Sequence, residues 1–430
     1  MNELTINLQT GSKIPLYEQI YNYVKENIQN GKLSSKEKLP STRTLARHLE
    51  VSRSTIELAY EQLMSEGYIE AEPCRGYFVA QIEDLFAWEP ERIREEEIPA
   101  REKEIFRYDF SPSGVDLKSF PYNAWRKLSK ESLVADRAEL FRLGNSQGEW
   151  GLRKAISSYL YQARGVSATP EQIIVGAGND YLLMLLCMIL GSDYKVAMEN
   201  PTYKQSYRVF SNLSYQVCTV NMDENGMLVS ELKKSEADIA FVMPSHHYPL
   251  GTVMPLKRRM ELLKWAEEKP SRYIIEDDYD SEFRYKGKPI PALQGYDRKE
   301  KVIYMGTFSK SIAPAIRVSY MVLPYSLLEG YHKRAEFLSS TVSRVDQLIL
   351  QNFIEQGYFE RHLNKSRALY KGRHDALLAA LKPLQDLCTI SGEHAGVHLL
   401  LHFPELEEEE LIRAAGKNGV KVYGLSEYYV

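Results

Sequence analysis

The period of the apolar positions changes along this chain. From Leu16, through Ile20, Tyr23 and Val24, to Ile28, they recur at helical spacing. Pro15 suits a first helical turn, and Asn30-Gly31 supplies a stop. Pro40-Ser41 opens a second helix with Leu45, Ala46 and Leu49 on its inner face, and Val51-Ser52 forms a turn. A third helix places Ile56, Ala59, Tyr60 and Leu63 inside and ends near Glu66-Gly67. Ser54 and Glu57 are expected to form a capping box at its start. Tyr68-Ile69 and Tyr77-Phe78-Val79 then flank Pro73 to Gly76, the pattern of a two-stranded wing. Residues 1–80 are thus expected to hold one small helical unit with a terminal hairpin.

From about Arg107 onward, helical patterns alternate with short apolar runs. The expected strands are Gln172–Val175, Lys195–Met198, Ile239–Met243, Tyr273–Glu276, Val302–Met305 and Ser319–Leu323. Strands separated by helices predict a largely parallel sheet with crossover connections, so ligands belong at the carboxyl ends of the strands. The apolar run Tyr181–Leu190 reads as a buried helix, with Met184, Leu185, Met188 and Ile189 in the core. It is too short to span a bilayer.

Between the two patterns, residues 81–106 carry nine acidic and four basic side chains, with Pro90 and Pro99. This composition predicts a charged linker. Over the whole chain of 430 residues the net charge is -4, so no global basic field points to nucleic acid. The local balance differs: from Lys32 to Arg53 there are six basic residues against two acidic ones. Cys74, Cys187, Cys218 and Cys388 lack metal-ligand or paired spacing, so neither a metal site nor a disulfide framework is expected. A reducing, cytoplasmic compartment without membrane attachment fits that pattern and the polar N-terminus.

In a helix-turn-helix the first residues of the second helix face the major groove of double-stranded DNA. Here those residues are Ser52, Arg53, Ser54 and Thr55, one long bidentate donor among short hydroxyls. Ser41, Thr42 and Arg43 stand at another helix start, where phosphates bind. Arg75 and Gly76 form a wing tip suited to the minor groove. Leu39-Pro40-Ser41-Thr42-Arg43-Thr44-Leu45-Ala46 followed by Val51-Ser52-Arg53-Ser54-Thr55-Ile56 resembles the GntR-type winged helix, a likeness covering residues 13–80.

The second chemistry lies in Asp277-Asp278-Tyr279, Gly306-Thr307-Phe308-Ser309-Lys310 and Arg317. A lysine that forms a Schiff base needs a carbonyl cofactor, and pyridoxal phosphate needs an acid beside its ring nitrogen. Lys310 and Asp277 meet those needs. Tyr279 suits the ring hydroxyl, and Thr307, Ser309 and Arg317 suit the phosphate, together with the backbone at Gly178 and Asn179. Tyr203 suits a ring face. His246 is either a ligand contact or a satisfied structural histidine. A strand-end aspartate and a nearby lysine also form plain ion pairs, and the ordered set of residues is what favours the cofactor.

From about Arg107 the chain resembles the fold type I aminotransferases. With the winged helix it resembles the MocR/GabR family of bacterial regulators. Ile275-Glu276-Asp277-Asp278-Tyr279-Asp280-Ser281-Glu282-Phe283-Arg284 is a close match to that family. So is His246-His247-Tyr248-Pro249-Leu250-Gly251, where the regulators tend to show His-Gln-aromatic-Pro-x-Gly. The resemblance implies an α/β chain: an N-terminal winged helix-turn-helix joined by a charged linker to an aminotransferase-like domain over residues 107–430. It also implies an internal aldimine on Lys310 and a domain-swapped homodimer. Ser319 stands where glycine is usual, Asn179-Asp180 where Thr-Gln is usual, and His247 where glutamine is usual. Glu427 aligns with the position that carries the effector-carboxylate arginine in the GABA-sensing member, so a carboxylate there would repel such an effector. The end at Val430 is expected to be short relative to the family.

The expected function is a pyridoxal phosphate-dependent transcription regulator. It senses the cofactor itself, or an amine or amino acid that reacts with it. The alternative is a working aminotransferase that carries a DNA module.

Overall fold

The computed structural model describes residues 6–9, 11–81, 106–112, 114–133, 138–285, 290–393 and 396–430. The chain divides into two compact units, Met1–Lys103 and Glu104–Val430. Most of the expected linker, residues 82–105, lies outside the described residues.

In the first unit, α1 (Leu16–Gln29), α2 (Thr42–His48) and α3 (Arg53–Ser65) precede an antiparallel hairpin of β1 (Ile69–Glu72) and β2 (Gly76–Val79). The helices exist because their apolar stripes meet: Ile20, Val24, Leu45, Ile56, Tyr60 and Leu63 are at most 1 % exposed and share one core. The expected capping box is corrected. Ser52, not Ser54, caps α3: its backbone is extended at ψ 148° and its hydroxyl accepts from Thr55 N at 3.2 Å. Ser54 already lies inside the first turn, and Glu57 pairs with Arg53 at 2.7 Å.

In the second unit, a short strand β3 (Tyr108–Asp109) comes first in the chain. Then follow β4 (Ile173–Gly176), β5 (Lys195–Asn200), β6 (Gln216–Asp223), β7 (Gly226–Met227), β8 (Ile239–Val242), β9 (Tyr273–Asp278), β10 (Val302–Thr307) and β11 (Ser319–Val322). These eight form one sheet in the order β4-β11-β10-β9-β8-β5-β6-β7. The run from β10 through β9, β8 and β5 to β6 is parallel, while β11 is antiparallel to both its neighbours. Near the end of the chain, β12 (Thr389–Ser391) pairs with β13 (Leu400–His402), and β14 (Val420–Lys421) pairs with β3.

Helices cover both faces of the sheet, which is why its central strands are apolar on both sides. Side chains alternate along β10: Ile303 and Met305 meet Leu182 and Leu186 of the helix Asn179–Leu190, whereas Tyr304 joins the opposite core with Leu160 and Phe353. Met184 and Met188 depart from expectation. They are 43 % and 42 % exposed, because four-residue spacing puts them on the helix face turned away from the sheet. The half-exposed strand β6, between β5 and the two-residue edge strand β7, lacks a continuous apolar run and was not expected.

Candidate functional site

The carboxyl ends of β4, β5, β8, β9 and β10 lie along one edge of the sheet and end in Gly176, Asn200, Val242, Asp278 and Thr307. β11 runs the other way, so its first residue, Ser319, sits opposite Thr307 at the same edge. Most of the expected pocket residues fall on these ends or within a few residues of them.

Asp277 and Asp278 are adjacent, and both are 6 % exposed. Alternation along β9 sends them to opposite faces. The Asp278 carboxylate accepts from Arg164 Nε at 2.9 Å and from the Tyr304 hydroxyl at 2.6 Å. The partner of Asp277 is an amide: its Oδ1 accepts from Asn179 Nδ2 at 3.0 Å. Burial, reinforced by the charge of Asp278 and opposed by the Asn179 hydrogen bond, pushes the Asp277 carboxyl up to about 7. A carboxyl held this way gains most from a buried cationic nitrogen.

Lys310 is half-buried, and its Nζ donates to Pro112 O at 2.6 Å. Burial pulls its ammonium below the ordinary lysine value, against the opposing charge of Asp280. That is the direction a nucleophilic lysine needs. The Tyr279 hydroxyl lies 3.0 Å from His246 Nδ1, which is also 2.9 Å from Asp280 Oδ2.

Arg317 adopts a left-handed backbone at φ 50° and ψ 38°, an uncommon conformation for a side-chain-bearing residue. It donates to Ala177 O at 3.1 Å and lies 3.5 Å from Asp180. Gly178, at φ 99°, opens the helix Asn179–Leu190. That backbone is one side-chain-bearing residues rarely adopt, and a Cβ on Gly178 would also crowd the Arg317 guanidinium. The Thr307 hydroxyl accepts from Ser309 N at 3.1 Å and from the Ser319 hydroxyl at 2.8 Å, which gives the serine at 319 a structural role. Tyr203 is half-buried and meets Tyr248 edge-to-face at 5.7 Å; burial pushes its phenol up to about 12.

These residues fit pyridoxal phosphate. Buried polar atoms without a partner among the described residues include Asn179 Oδ1 and His246 Nε2. The raised Asp277 carboxyl matches a ring nitrogen, Lys310 a carbonyl, and the Gly178–Arg317 cradle a phosphate.

Several neighbours had no readable signal. Arg164 comes from the helix Trp150–Arg164 and reaches Asp278 across more than a hundred residues of chain. Tyr428 lies in the short turn Ser426–Tyr428, accepts from Thr202 N at 2.9 Å and meets the Tyr248 hydroxyl at 2.7 Å. Glu427 beside it is exposed. His247 is buried, 3.4 Å from Glu199, in a structural setting.

On the winged helix, Arg53 and Arg75 are exposed, with side chains 61 % and 70 % accessible. Arg53 pairs with Glu57, while Arg75 pairs with Glu72 and lies 5.5 Å over the Phe78 ring. Exposed pairs of this kind are weak and release readily to a phosphate or a base. The Ser52 hydroxyl contacts those of Ser54 and Thr55 at 2.8 and 2.7 Å. Ser41 caps α2 through Thr44 N at 3.1 Å, beside exposed Arg43, and Gly76 turns the wing at φ 113°. Thr42, expected beside phosphates, is instead 6 % exposed and faces inward.

The bacterial regulatory protein gntR family matches residues 16–79, and the aminotransferase class I and II family matches residues 114–430. The chain is 41 % identical to the uncharacterized HTH-type transcriptional regulator YdeL of Bacillus subtilis, over 99 % of this chain and 92 % of that protein. It is 32 % identical to the probable rhizopine catabolism regulatory protein MocR of Rhizobium meliloti, over 98 % and 89 %. It is 30 % identical to the pyridoxine biosynthesis transcriptional regulator PdxR of Corynebacterium glutamicum, over 99 % and 92 %. Among solved structures, the kynurenine aminotransferase of Pyrococcus horikoshii superposes with a TM-score of 0.66 at 24 % identity, covering 76 % of this chain and 83 % of its own, a likeness of fold alone. With a GntR-type helix-turn-helix, an aminotransferase-type unit and relatives matched from end to end, this chain belongs to the MocR/GabR family of HTH-type transcriptional regulators.

Proposed function

We propose that this protein is a cytoplasmic DNA-binding regulator whose sheet unit holds pyridoxal phosphate and reads its supply, or an amine that reacts with it. The observation that carries the reading is the pairing on one chain of an exposed helix-turn-helix face with the Asp277–Lys310–Arg317 pocket, where Asn179 Oδ1 is buried without a partner among the described residues. Bound there, pyridoxal phosphate supplies an electrophilic aldehyde and an electron-accepting ring. Lys310 offers the amine for attachment, and Asp277 the counter-charge for the ring nitrogen. Arg317, Thr307, Ser309 and the amides at Gly178 and Asn179 hold the phosphate. Tyr203 lines a ring face, and Tyr279 and His246 serve the ring hydroxyl.

On the other unit, Arg53 and Ser54 address base edges, Ser41 and Arg43 address phosphates, and Arg75-Gly76 addresses the minor groove. Ser52 and Thr55 brace the start of α3. A homodimer presents two such faces to paired half-sites. Regulation requires the cofactor or amine to bind one arrangement of the protein more tightly than another. The intact Lys310 and Asp277 also support a second reading, a full aminotransferase, which sustained conversion of amino to keto acids would establish.

The test is binding of the full chain to the DNA upstream of its own gene, at fixed salt, with and without pyridoxal phosphate. Saturable binding that changes with the cofactor is the expected result. No preference for that DNA over unrelated sequence would overturn the reading. Arg53→Ala is expected to weaken specific binding by roughly tenfold to a hundredfold, with cofactor uptake unchanged.

A further inference from the structure

His246 is held from several sides. Its Nδ1 lies 2.9 Å from Asp280 Oδ2 and 3.0 Å from the Tyr279 hydroxyl. The His246 and Asp280 side chains are each 1 % exposed. Both contacts fall on one nitrogen, so His246 Nδ1 sits between the Asp280 carboxylate and the Tyr279 hydroxyl. Gly396, at φ 75°, packs so closely that a Cβ there would overlap the His246 ring, and its N–H donates to Phe283 O at 2.7 Å. His398 closes another side, with ring centroids 4.9 Å apart and its own Nε2 donating to Pro249 O at 2.9 Å. His246 Nε2 and Asp280 Oδ1 have no partner among the described residues. An ordinary packed histidine would not need a buried carboxylate on the nitrogen that faces a tyrosine.

Which ring nitrogen carries the proton is set by the other hydrogen bonds that the ring makes. A carboxylate can only accept, so Asp280 selects the form protonated on Nδ1. The Tyr279 oxygen then meets an N–H donor rather than a lone pair, and its own hydrogen is free to point elsewhere. We propose that Asp280 and His246 are positioning residues that turn the Tyr279 hydroxyl into a donor toward the ring oxygen of the cofactor. This rests on the pyridoxal phosphate reading of the pocket. Donation to that oxygen draws away its negative charge and weakens its hold on the proton shared with the Lys310 nitrogen. In Asp280→Asn, His246 can switch to the form protonated on Nε2. Nδ1 then accepts the Tyr279 proton, and the donor to the ring oxygen is lost. The groups facing His246 are Tyr279, Asp280, His247 and His398, with Arg164 and Arg284 lining the small adjoining cavity. Arg164 is paired with Asp278.

The experiment is a pH titration of the visible absorbance of the cofactor-loaded full chain, comparing wild type with Asp280→Asn, Tyr279→Phe and the double variant. Asp280→Asn and Tyr279→Phe are each expected to raise the apparent pKa by about one unit, with no further rise in the double variant. His246→Asn serves as a second variant if Asp280→Asn does not fold, with the same expectation. Cofactor affinity and thermal unfolding report any general structural damage separately. An unchanged or lowered apparent pKa in Asp280→Asn, or additive shifts in the double variant, would overturn the inference and leave the cofactor reading standing. If wild-type protein shows no lysine-bound absorbance at all, the cofactor reading fails, and this inference fails with it.

Discussion

At the start of α3, the Ser52 hydroxyl meets the Thr55 amide and two neighbouring hydroxyls, and exposed Arg53 rests on Glu57. At the sheet edge, Asn179 Oδ1 and His246 Nε2 are buried without partners, and Asp277 is held by an amide where a cation would suit it better. The start of α3 keeps its polar groups satisfied by short local bonds that water or a phosphate can replace at little cost. The sheet edge keeps polar groups out of water, where each unmet bond costs stability until something binds. The first arrangement suits a surface that samples many DNA sites. The second suits a pocket committed to one group. Neighbouring residues of β9 differ in their partners: Asp278 Oδ2 is held by the Arg164 cation and the Tyr304 hydroxyl, while Asp277 is held by a neutral amide.

The largest test of this contrast is Lys310→Ala. Covalent capture of pyridoxal phosphate, read by mass after borohydride reduction, is expected to vanish, while cofactor-free DNA binding stays at the wild-type level. Loss of both would break the division of labour.

Next comes the cation-paired carboxylate of the strand. Arg164→Met leaves Asp278 buried and unpaired, which is expected to cost about 3–5 kcal/mol in urea unfolding of the sheet unit. A loss below about 1 kcal/mol would mean that water reaches Asp278 and that the pair is not sealed.

The amide-held carboxyl behaves differently with pH. The folded-state pKa of Asp277, about 7, lies above its ordinary 3.8, so the folded protein holds that proton more tightly than the unfolded chain does. Its contribution is fully present below pH 3.8 and is lost as pH rises through about 7. Asp277→Asn is therefore expected to stabilise the cofactor-free protein at pH 8 by about 1–3 kcal/mol, with the difference closing at low pH. The same substitution is expected to weaken cofactor retention. An Asp277→Asn stability curve parallel to wild type across that range would show that the carboxyl is not held protonated.

The smallest effect belongs to the satisfied surface. Ser52→Ala removes the cap of α3 and is expected to cost about 1 kcal/mol in unfolding of the winged helix, with the sheet unit unchanged.

Much of this was legible along the chain. The stripes of α1 and α3, the wing and the central strands follow from local periodicity, because each element buries one set of positions. Lys310, Asp277 and Arg317 stood out because side-chain chemistry at strand ends restricts what a site can do. The capping of α3 was misplaced by two residues, since Ser52 and Ser54 are alike in type and only the extended backbone at Ser52 decides between them. Met184 and Met188 were misplaced because an apolar helix has no polar face to set its rotation.

The sequence by itself determined the two-unit plan, the helix-turn-helix and the set of groups proposed for a cofactor pocket, all of which rest on local pattern and side-chain type. Only the tertiary structure decided which carboxylate of the Asp277-Asp278 pair meets Arg164 and which meets an amide, and that Asp280 and Tyr279 converge on one nitrogen of His246. Those outcomes depend on segments far apart in the chain. Their charges and hydrogen bonds take effect only once strand pairing and burial have brought them within a few ångströms and excluded water.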